Sequence, residues 1–355
     1  MKVMIAGGGT GGHVFPALAV AEELRRRHPA HEVFFVGTKT GVEARVVPAA
    51  GYRLCTLPAA GFKGVGLGRK LRSLALLPRS LWGSVALLRE LRPNVVFGVG
   101  GYASAPAMFA AALGRWPTVL FEANAEPGLT NRLLGPLVSQ AAVTYEETVS
   151  CFGGKAVRTG SPVRAEFFGV LPKAHQPPFT LLIFGGSRGA RALNQAMVEA
   201  LEMLCKSRQP LRFIHQSGEQ DYNAVRVAYA RRALRVEVLP FITDMPARFA
   251  EADLVICRAG ASTVAELAAA GRAAILVPFP HATDQHQLRN AEVLAAAGAV
   301  RLLRQPELSG ERLASEVLAL LEHPERLRGM EAAARRLAVP DAAARIADLI
   351  ESVAR

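Results

Sequence analysis

The residues of this chain that can do chemistry gather in a few short runs. Gly7-Gly8-Gly9-Thr10-Gly11-Gly12-His13 follows an apolar stretch and ends in an imidazole, which titrates near neutrality and can take a proton from a hydroxyl. A second glycine turn reads Gly98-Val99-Gly100-Gly101-Tyr102, and a third reads Gly185-Gly186-Ser187-Arg188-Gly189-Ala190. Glycines at a strand-to-helix junction let backbone N–H groups and the helix N-terminus approach an anion closely. Three such turns point to phosphate, and two pyrophosphate-bearing ligands would account for all of them. Any one turn alone has a plainer explanation, a need for unusual backbone angles.

Two further runs carry polar chemistry. Cys257-Arg258-Ala259-Gly260-Ala261-Ser262-Thr263-Val264-Ala265-Glu266 joins a strand-like run to a helical one. Ser262 and Thr263 fall at the helix start, where hydroxyls and unbonded N–H groups can meet phosphate. Glu266 lies one turn further on, where a carboxylate can accept both hydroxyls of a ribose. An equally good reading makes Thr263 and Glu266 a capping box that only closes the helix end. Downstream, residues 278–287 (PFPHATDQHQ) form a polar loop at the end of a strand. Amides there suit sugar hydroxyls because they both donate and accept; the alternative is ordinary polar surface.

Gly7-x-Gly9-x-x-Gly12 also matches the dinucleotide fingerprint, but a lone match is weak. The second strand ends at Val36-Gly37-Thr38 with no acidic residue there for a ribose, which disfavours an NAD enzyme.

The elements that must position these runs are legible in outline. Strand-like runs at 3–6, 32–36, 95–99, 118–121 and 141–143 alternate with helix-length segments, the first at 14–27. The pattern restarts with strands at 179–184, 212–215, 236–239, 254–257 and 274–277 and a helix at 192–206. Residues 171–178 (LPKAHQPP) are the most linker-like stretch. The expected fold class is α/β, two Rossmann-like doubly wound domains facing each other across a cleft.

Composition narrows the class of partner. At 355 residues the chain fits two ordinary domains, and 50% hydrophobic with 20% charged residues is a globular balance. Cys55, Cys151, Cys205 and Cys257 are scattered, with no C-x-x-C pair, which disfavours a disulfide framework or a structural zinc and suits a reducing cytoplasm. The apolar opening is too short for a signal peptide, and no run of 18 uncharged apolar residues follows, so neither export nor a membrane span is expected. The net charge of +12 asks for an anionic partner. With 6% aromatics, no basic stripe interleaved with them and no helix-turn-helix or zinc-finger pattern, nucleic acid is set aside.

Taken in order, six runs resemble the MurG family of bacterial N-acetylglucosaminyltransferases. They are GGTGGHVFPALAVA at 8–21, GVGGYASAP at 98–106, GLTNRLL at 128–134, GGSRGARALN at 185–194, CRAGASTVAELAAAG at 257–271 and HATDQHQLRNA at 281–291. The resemblance implies a GT-B glycosyltransferase with an acceptor-binding, membrane-facing domain at 1–162 and a domain for UDP-N-acetylglucosamine at 163–340. Residues 341–355 would be a helix packing back on the first domain. It implies inverting transfer of N-acetylglucosamine to lipid I, the undecaprenyl-pyrophosphoryl-MurNAc-pentapeptide, giving lipid II and UDP. By matching position, Glu266 would hold the uridine ribose and Ile242 would meet uracil through its backbone. Ser187, Arg164 and the turn of Ala261, Ser262, Thr263, Val264 and Ala265 would surround the diphosphate. Gln287 with His286 would read the sugar hydroxyls, while Asn124, Tyr102, Thr10, Gly11 and Gly12 would serve from the acceptor side. The chain departs from the family's usual pattern at Ala123, Ser161 and Arg188, where Gln, Asn and Gln are common; Asn124 and Arg164 are kept.

The transfer needs a base for the acceptor hydroxyl and stabilisation of the departing diphosphate. No Asp-x-Asp motif offers a metal site, so no metal or cofactor is expected, and helix N-termini with Arg164 would supply positive potential. His13 is the first candidate for the base, with Glu122 as its competitor; the plainer reading of His13 is a helix-capping residue. A polyprenyl acceptor also requires a route to the bilayer. Within 63–92, Leu67, Leu71, Leu74, Leu77, Leu81, Trp82 and Val85 form an apolar series beside Lys63, Arg69, Lys70, Arg72 and Arg79, a composition suited to an anionic membrane surface, or else to the core. The expected location is peripheral, on the cytoplasmic face of the membrane, with cell-wall synthesis proteins as further partners. A related enzyme acting on a diacylglycerol-type acceptor is the alternative.

Overall fold

The computed structural model describes residues 1–58, 67–101, 104–186, 189–232 and 234–354, with backbone only for 67–75, 77 and 283. Two all-parallel sheets carry the chain. The first contains β1 (Lys2–Ala6), β2 (Glu32–Gly37), β3 (Arg53–Thr56), β4 (Val95–Gly98), β5 (Thr118–Glu122), β6 (Gln140–Val143) and β7 (Ala156–Arg158) in the order 3-2-1-4-5-6-7. The second contains β8 (Phe179–Phe184), β9 (Leu211–Gln216), β10 (Arg235–Leu239), β11 (Leu254–Cys257), β12 (Ala274–Leu276) and β13 (Val300–Leu302) in the order 10-9-8-11-12-13. Central strands such as β4, β5, β8 and β11 are buried along their whole length, which is why they read as unbroken apolar runs.

The strand order reverses in the same way in both sheets. In the first, β2 lies on one side of β1 and β4 on the other; in the second, β9 and β11 flank β8. Connections leaving adjacent central strands part in opposite directions there, opening a crevice at their carboxyl ends. The turns 7–10 and 98–101 leave β1 and β4, while 185–190 and 258–260 leave β8 and β11. The glycine runs thus stand at both topological switch points.

The chain divides into two compact units, Met1–Arg164 with Val339–Arg355, and Ala165–Ala338. In the first, the final helix Ala342–Val353 packs on the first helix, Gly11–Arg27, and beside β4, β5 and β6. Its Ile346, Ala347 and Ile350 are fully buried, and Arg27 Nη1 donates to Asp348 (2.6 Å) and Glu351 (2.9 Å). In the second unit, helices Arg191–Leu204 and Gly310–Leu321 pack against each other over Leu181, Ile183 and Phe213. Each fully buried leucine or phenylalanine there contributes about 1.5–3 kcal/mol.

The stretch that reads as a linker is anchored. His175 is 3% exposed, with Nδ1 3.0 Å from Asp253 and Nε2 3.2 Å from Glu331, and Lys173 donates to Asp253 at 2.6 Å. Its proline-rich composition marks an irregular path, but two carboxylates hold it against the second unit. Burial alone would lower the His175 pKa; Asp253 and Glu331 outweigh it and raise the value to about 9. Among the described residues, no helix is long and apolar enough to cross a membrane.

Candidate active site

In the first unit the two glycine turns are pressed together. A Cβ on Gly101, whose φ is +81°, would stand 2.7 Å from the Gly8 carbonyl, and one on Gly7 would overlap Val99. Only glycine permits this approach. The helix begins at Gly11 rather than at 14, so the end of the motif forms the first helical turn, and Thr10 is its N-cap. Thr10 makes no side-chain cap bond; its Oγ1 pairs instead with His13 Nδ1 at 3.0 Å. The imidazole lies over Gly100 and Gly101, where added Cβ atoms would be 3.2 and 3.1 Å from the ring. His13 is therefore a ring packed on the second turn, not a cap on the first helix.

The first turn rests on a side chain absent from the motif. Glu43, fully buried, accepts from the Gly9 N–H (2.7 Å), the Thr38 N–H (2.9 Å) and the Thr38 hydroxyl (2.7 Å). A Cβ on Gly8, Gly37 or Gly41 would lie 2.0–2.6 Å from its side chain, so the surrounding backbone is shaped around this carboxyl group. The Gly9 amide is thereby withdrawn from any phosphate. The expectation of a phosphate cradle contracts here to the N–H groups of Gly11 and Gly12, which have no intrahelical partner.

Glu122 is 2% exposed at the end of β5 and accepts four hydrogen bonds. Asn124 donates its backbone N–H and side-chain amide to Oε1, both at 2.9 Å, while Gly128 N–H (3.1 Å) and Asn131 Nδ2 (2.8 Å) donate to Oε2. Burial pushes its pKa up, against the pull of these donors. Its geometry is that of a clamp on the loop carrying Asn124 and on the helix Leu129–Leu134. Arg164 falls with this unit, its guanidinium 4.8 Å above the Phe15 ring. Tyr102 lies outside the described residues, as does Ser187 of the other unit.

In the second unit the helix Ala261–Ala270 begins from Gly260, which is its N-cap, and no side chain caps it. Thr263 and Glu266 therefore do not form a capping box, and that reading of the pair is withdrawn. Val264 N–H donates to the Gly260 carbonyl at 3.0 Å, so the amides of Ala261, Ser262 and Thr263 precede the first helical bond. Val264 is buried and Ala265 half-buried, while Glu266 is half-buried one turn above Ser262.

Buried polar side chains set the surrounding loops. Arg258, 7% exposed, donates to the carbonyls of Val277 (3.0 Å) and Pro278 (3.1 Å) and to Gln305 (2.7 Å). Burial lowers its pKa to about 10, so it stays protonated while holding the loop that leads to His281. Gln287 Oε1 accepts from the Phe279 N–H at 3.0 Å, which orients its amide nitrogen as the remaining donor, and His286 opens the helix His286–Ala296 half-buried beside it. Asn290 Nδ2 reaches the Ala259 carbonyl at 3.3 Å and ties that helix to the 258–266 run. Ile242, 4% exposed, has its N–H already engaged by Gln216 Oε1 at 2.8 Å, which leaves its carbonyl as the backbone group for a base.

The first unit thus brings together His13, Thr10, Gly11 and Gly12 on one pair of turns, and Glu122 with Asn124 on the next loop. The second assembles residues 261–266 with 286–287 through Asn290 and Arg258. Glu43, Gln216, Arg258 and Asn131 were not expected from the sequence to shape the site. Gln216 had a visible signal, since His215-Gln216-Ser217 puts polar residues at the end of an apolar strand. Glu43 had only its glycine neighbours.

Family models agree with this division: the glycosyltransferase family 28 N-terminal domain matches residues 3–143 and the family 28 C-terminal domain residues 180–346. The chain is 47% identical over 352 residues to the UDP-N-acetylglucosamine–N-acetylmuramyl-(pentapeptide) pyrophosphoryl-undecaprenol N-acetylglucosamine transferase of Myxococcus xanthus, covering 98% of this chain and 92% of that protein. It is 49% identical to the protein of the same name from Syntrophotalea carbinolica, covering 99% of each. Among solved structures it is similar to Acinetobacter baumannii MurG, with a TM-score of 0.78, 34% identity and 99% of both chains covered. A Neisseria meningitidis UDP-GlcNAc 2-epimerase bound to UDP-GlcNAc shares the fold at 14% identity and a TM-score of 0.71, covering 99% of this chain and all of that one.

Proposed function

This chain belongs to glycosyltransferase family 28 and, within it, to the MurG family, and from that premise we propose the reaction it performs and the residues that perform it. It transfers N-acetylglucosamine from UDP-N-acetylglucosamine to the MurNAc 4-hydroxyl of lipid I, with inversion, releasing UDP. The observation that carries this reading is the near-full-length identity of 47–49% to relatives named for that transfer. The diacylglycerol-acceptor alternative is not kept, because those relatives carry the muramyl-pentapeptide name across both domains.

His13 serves as the base in this account. Nδ1 pairs with Thr10 Oγ1, and in the tautomer that donates there the lone pair is on Nε2, the nitrogen assigned to take the proton of the attacking hydroxyl. Glu122, saturated by four donors, acts as a positioning residue for Asn124. As that oxygen bonds to the anomeric carbon, the bond to the UDP oxygen breaks and negative charge gathers on the diphosphate. The amides of Ala261, Ser262 and Thr263, with Ser187 and Arg164, are assigned to stabilise that charge. Glu266 accepts from the ribose hydroxyls, the Ile242 carbonyl from the uracil N–H, and Gln287 with His286 reads the sugar.

The acceptor's lipid is met through the helix Leu67–Leu91. Trp82 is 80% exposed, and Leu81, Pro78 and Arg79 are exposed beside it, while Val85 turns toward the core. Side chains at Lys63, Leu67, Arg69, Lys70, Leu71, Arg72, Leu74 and Leu77 lie outside the described residues. An exposed tryptophan next to arginine suits a headgroup boundary with anionic lipid, which supports the reading of a peripheral protein on the cytoplasmic face. Incubation with UDP-N-acetylglucosamine and a lipid I analogue tests the whole reading: a β-1,4-linked disaccharide and one UDP per product are expected, and consumption of donor without disaccharide would refute it.

A further inference from the structure

We infer that Gln216 is a positioning residue that couples the two ends of nucleotide recognition in the second unit. The inference rests on the assignment above of Ile242 to the base and of Ser187, which follows Gly186, to the diphosphate.

Gln216 is the last residue of β9, next to β8, and is 1% exposed. Its Nε2 donates to the Gly186 carbonyl at 2.9 Å, and its Oε1 accepts from the Ile242 N–H at 2.8 Å. One planar amide therefore joins the turn after β8 to the segment after β10. The Ile242 bond is buried and the Gly186 bond partly so, and leaving a buried backbone partner unmatched costs about 1–3 kcal/mol. Only a side chain with a donor on one arm and an acceptor on the other satisfies both. A carboxylate offers acceptors alone, and methionine has the length without strong hydrogen-bonding groups.

Packing does not do this work instead. A Cβ placed on Gly186 would meet no atom within 4 Å, and its φ of +91° is one that other residues rarely adopt. The Gly186 carbonyl accepts from Gln216 Nε2 and from the Gly189 N–H at 3.0 Å, so the side chain and the turn's own backbone direct it together. Ser217, the next residue, carries the same linkage outward: its N–H donates to the Leu239 carbonyl at 3.0 Å, and its own carbonyl accepts from Asn194 at 2.9 Å. A shift of the segment bearing Ile242 is consequently transmitted to the turn, and a ligand that orders one end orders the other.

Calorimetric titration of the full-length protein with uridine and with UDP tests this. Gln216→Met should weaken UDP on the order of tenfold and weaken uridine as well. The donor KM should rise, with the acceptor KM within about twofold of the parent, a split that general destabilisation would not give. Gln216→Glu supplies the second readout. Protonated, it presents both a donor and an acceptor; ionised, it keeps only acceptors. Its UDP affinity relative to the parent at the same pH should therefore fall as pH rises from about 5 to about 8, while relative uridine affinity holds. Parental affinities for both ligands in Gln216→Met would overturn the inference, as would loss for UDP alone. If that variant does not fold, a pH-independent Gln216→Glu ratio overturns it. Glu266→Ala separates the two layers: unchanged UDP affinity there would sink the site assignment itself, whereas a loss there with none in Gln216→Met would sink only the coupling.

Discussion

Replacing His13 with alanine should slow turnover by about a hundredfold or more, the size of a lost general base, and leave UDP affinity within about twofold. Steady-state UDP release with a lipid I analogue, paired with UDP titration, measures both. Glu43→Gln is the sharper test of how the first turn is held. The substitution is nearly isosteric, yet the carboxyl group it replaces accepts from Gly9 N–H and from both donors of Thr38. A glutamine must turn its own N–H₂ toward one of these donors, so turnover should fall roughly tenfold or more with donor affinity kept; parental turnover would show that the turn holds without this pin. The contrast between these residues explains what the sequence disclosed. His13, Glu266 and Gln287 stand inside motifs, and the roles proposed for them rest on their own side-chain chemistry. Glu43, Gln216 and Arg258 act through buried bonds to backbone groups 5 to 34, 26 to 30 and 19 to 20 positions away, pairings that only the folded chain reveals.

Burial makes the central strands legible, although the edge strand β10, with no buried residue, is legible as well. The central strands β1, β4, β5, β8 and β11 announce themselves as apolar runs, whereas β3, β7 and β13 do not appear in the sequence reading. All three are edge strands of three or four residues, with at most one buried position each. Water on one side removes the apolar run that marks a central strand. Residues 171–178 erred the other way: prolines suggested a tether, while the deciding contacts come from Asp253 and Glu331, far along the chain. Those contacts make stability depend on pH. The folded-state pKa of His175 is raised from 6.5 to about 9, so its contribution is complete below about 6.5 and is lost as pH rises through about 9. The loss is on the order of 3 kcal/mol at most. Thermal unfolding followed from pH 6 to pH 10 should show the midpoint falling across that window. His175→Gln should lower the midpoint at pH 6 and flatten the fall; an equally steep fall in the variant would assign the dependence elsewhere.

For the whole molecule, the net charge of +12 and the exposed Trp82 point to the same surface chemistry. Flotation with vesicles containing anionic lipid should recover the parent protein, and Trp82→Glu combined with Arg79→Glu should leave most of it unbound at physiological salt, without loss of UDP affinity. Retention of the double variant on vesicles would remove the helix Leu67–Leu91 from that role. The repeated architecture sets the larger expectation. Each unit places its glycine runs at a strand-order reversal, yet the two differ in what they leave available. In the first, a buried carboxyl group takes the Gly9 amide ahead of the helix; in the second, the amides of Ala261, Ser262 and Thr263 precede the first helical bond. The function proposed above assigns the nucleotide sugar to the second unit. Amide hydrogen exchange with and without UDP-N-acetylglucosamine tests it most directly. Protection is expected at 185–190, 239–242, 258–266 and 279–287; protection confined to 7–13 and 98–101, with those four segments unchanged, would contradict it.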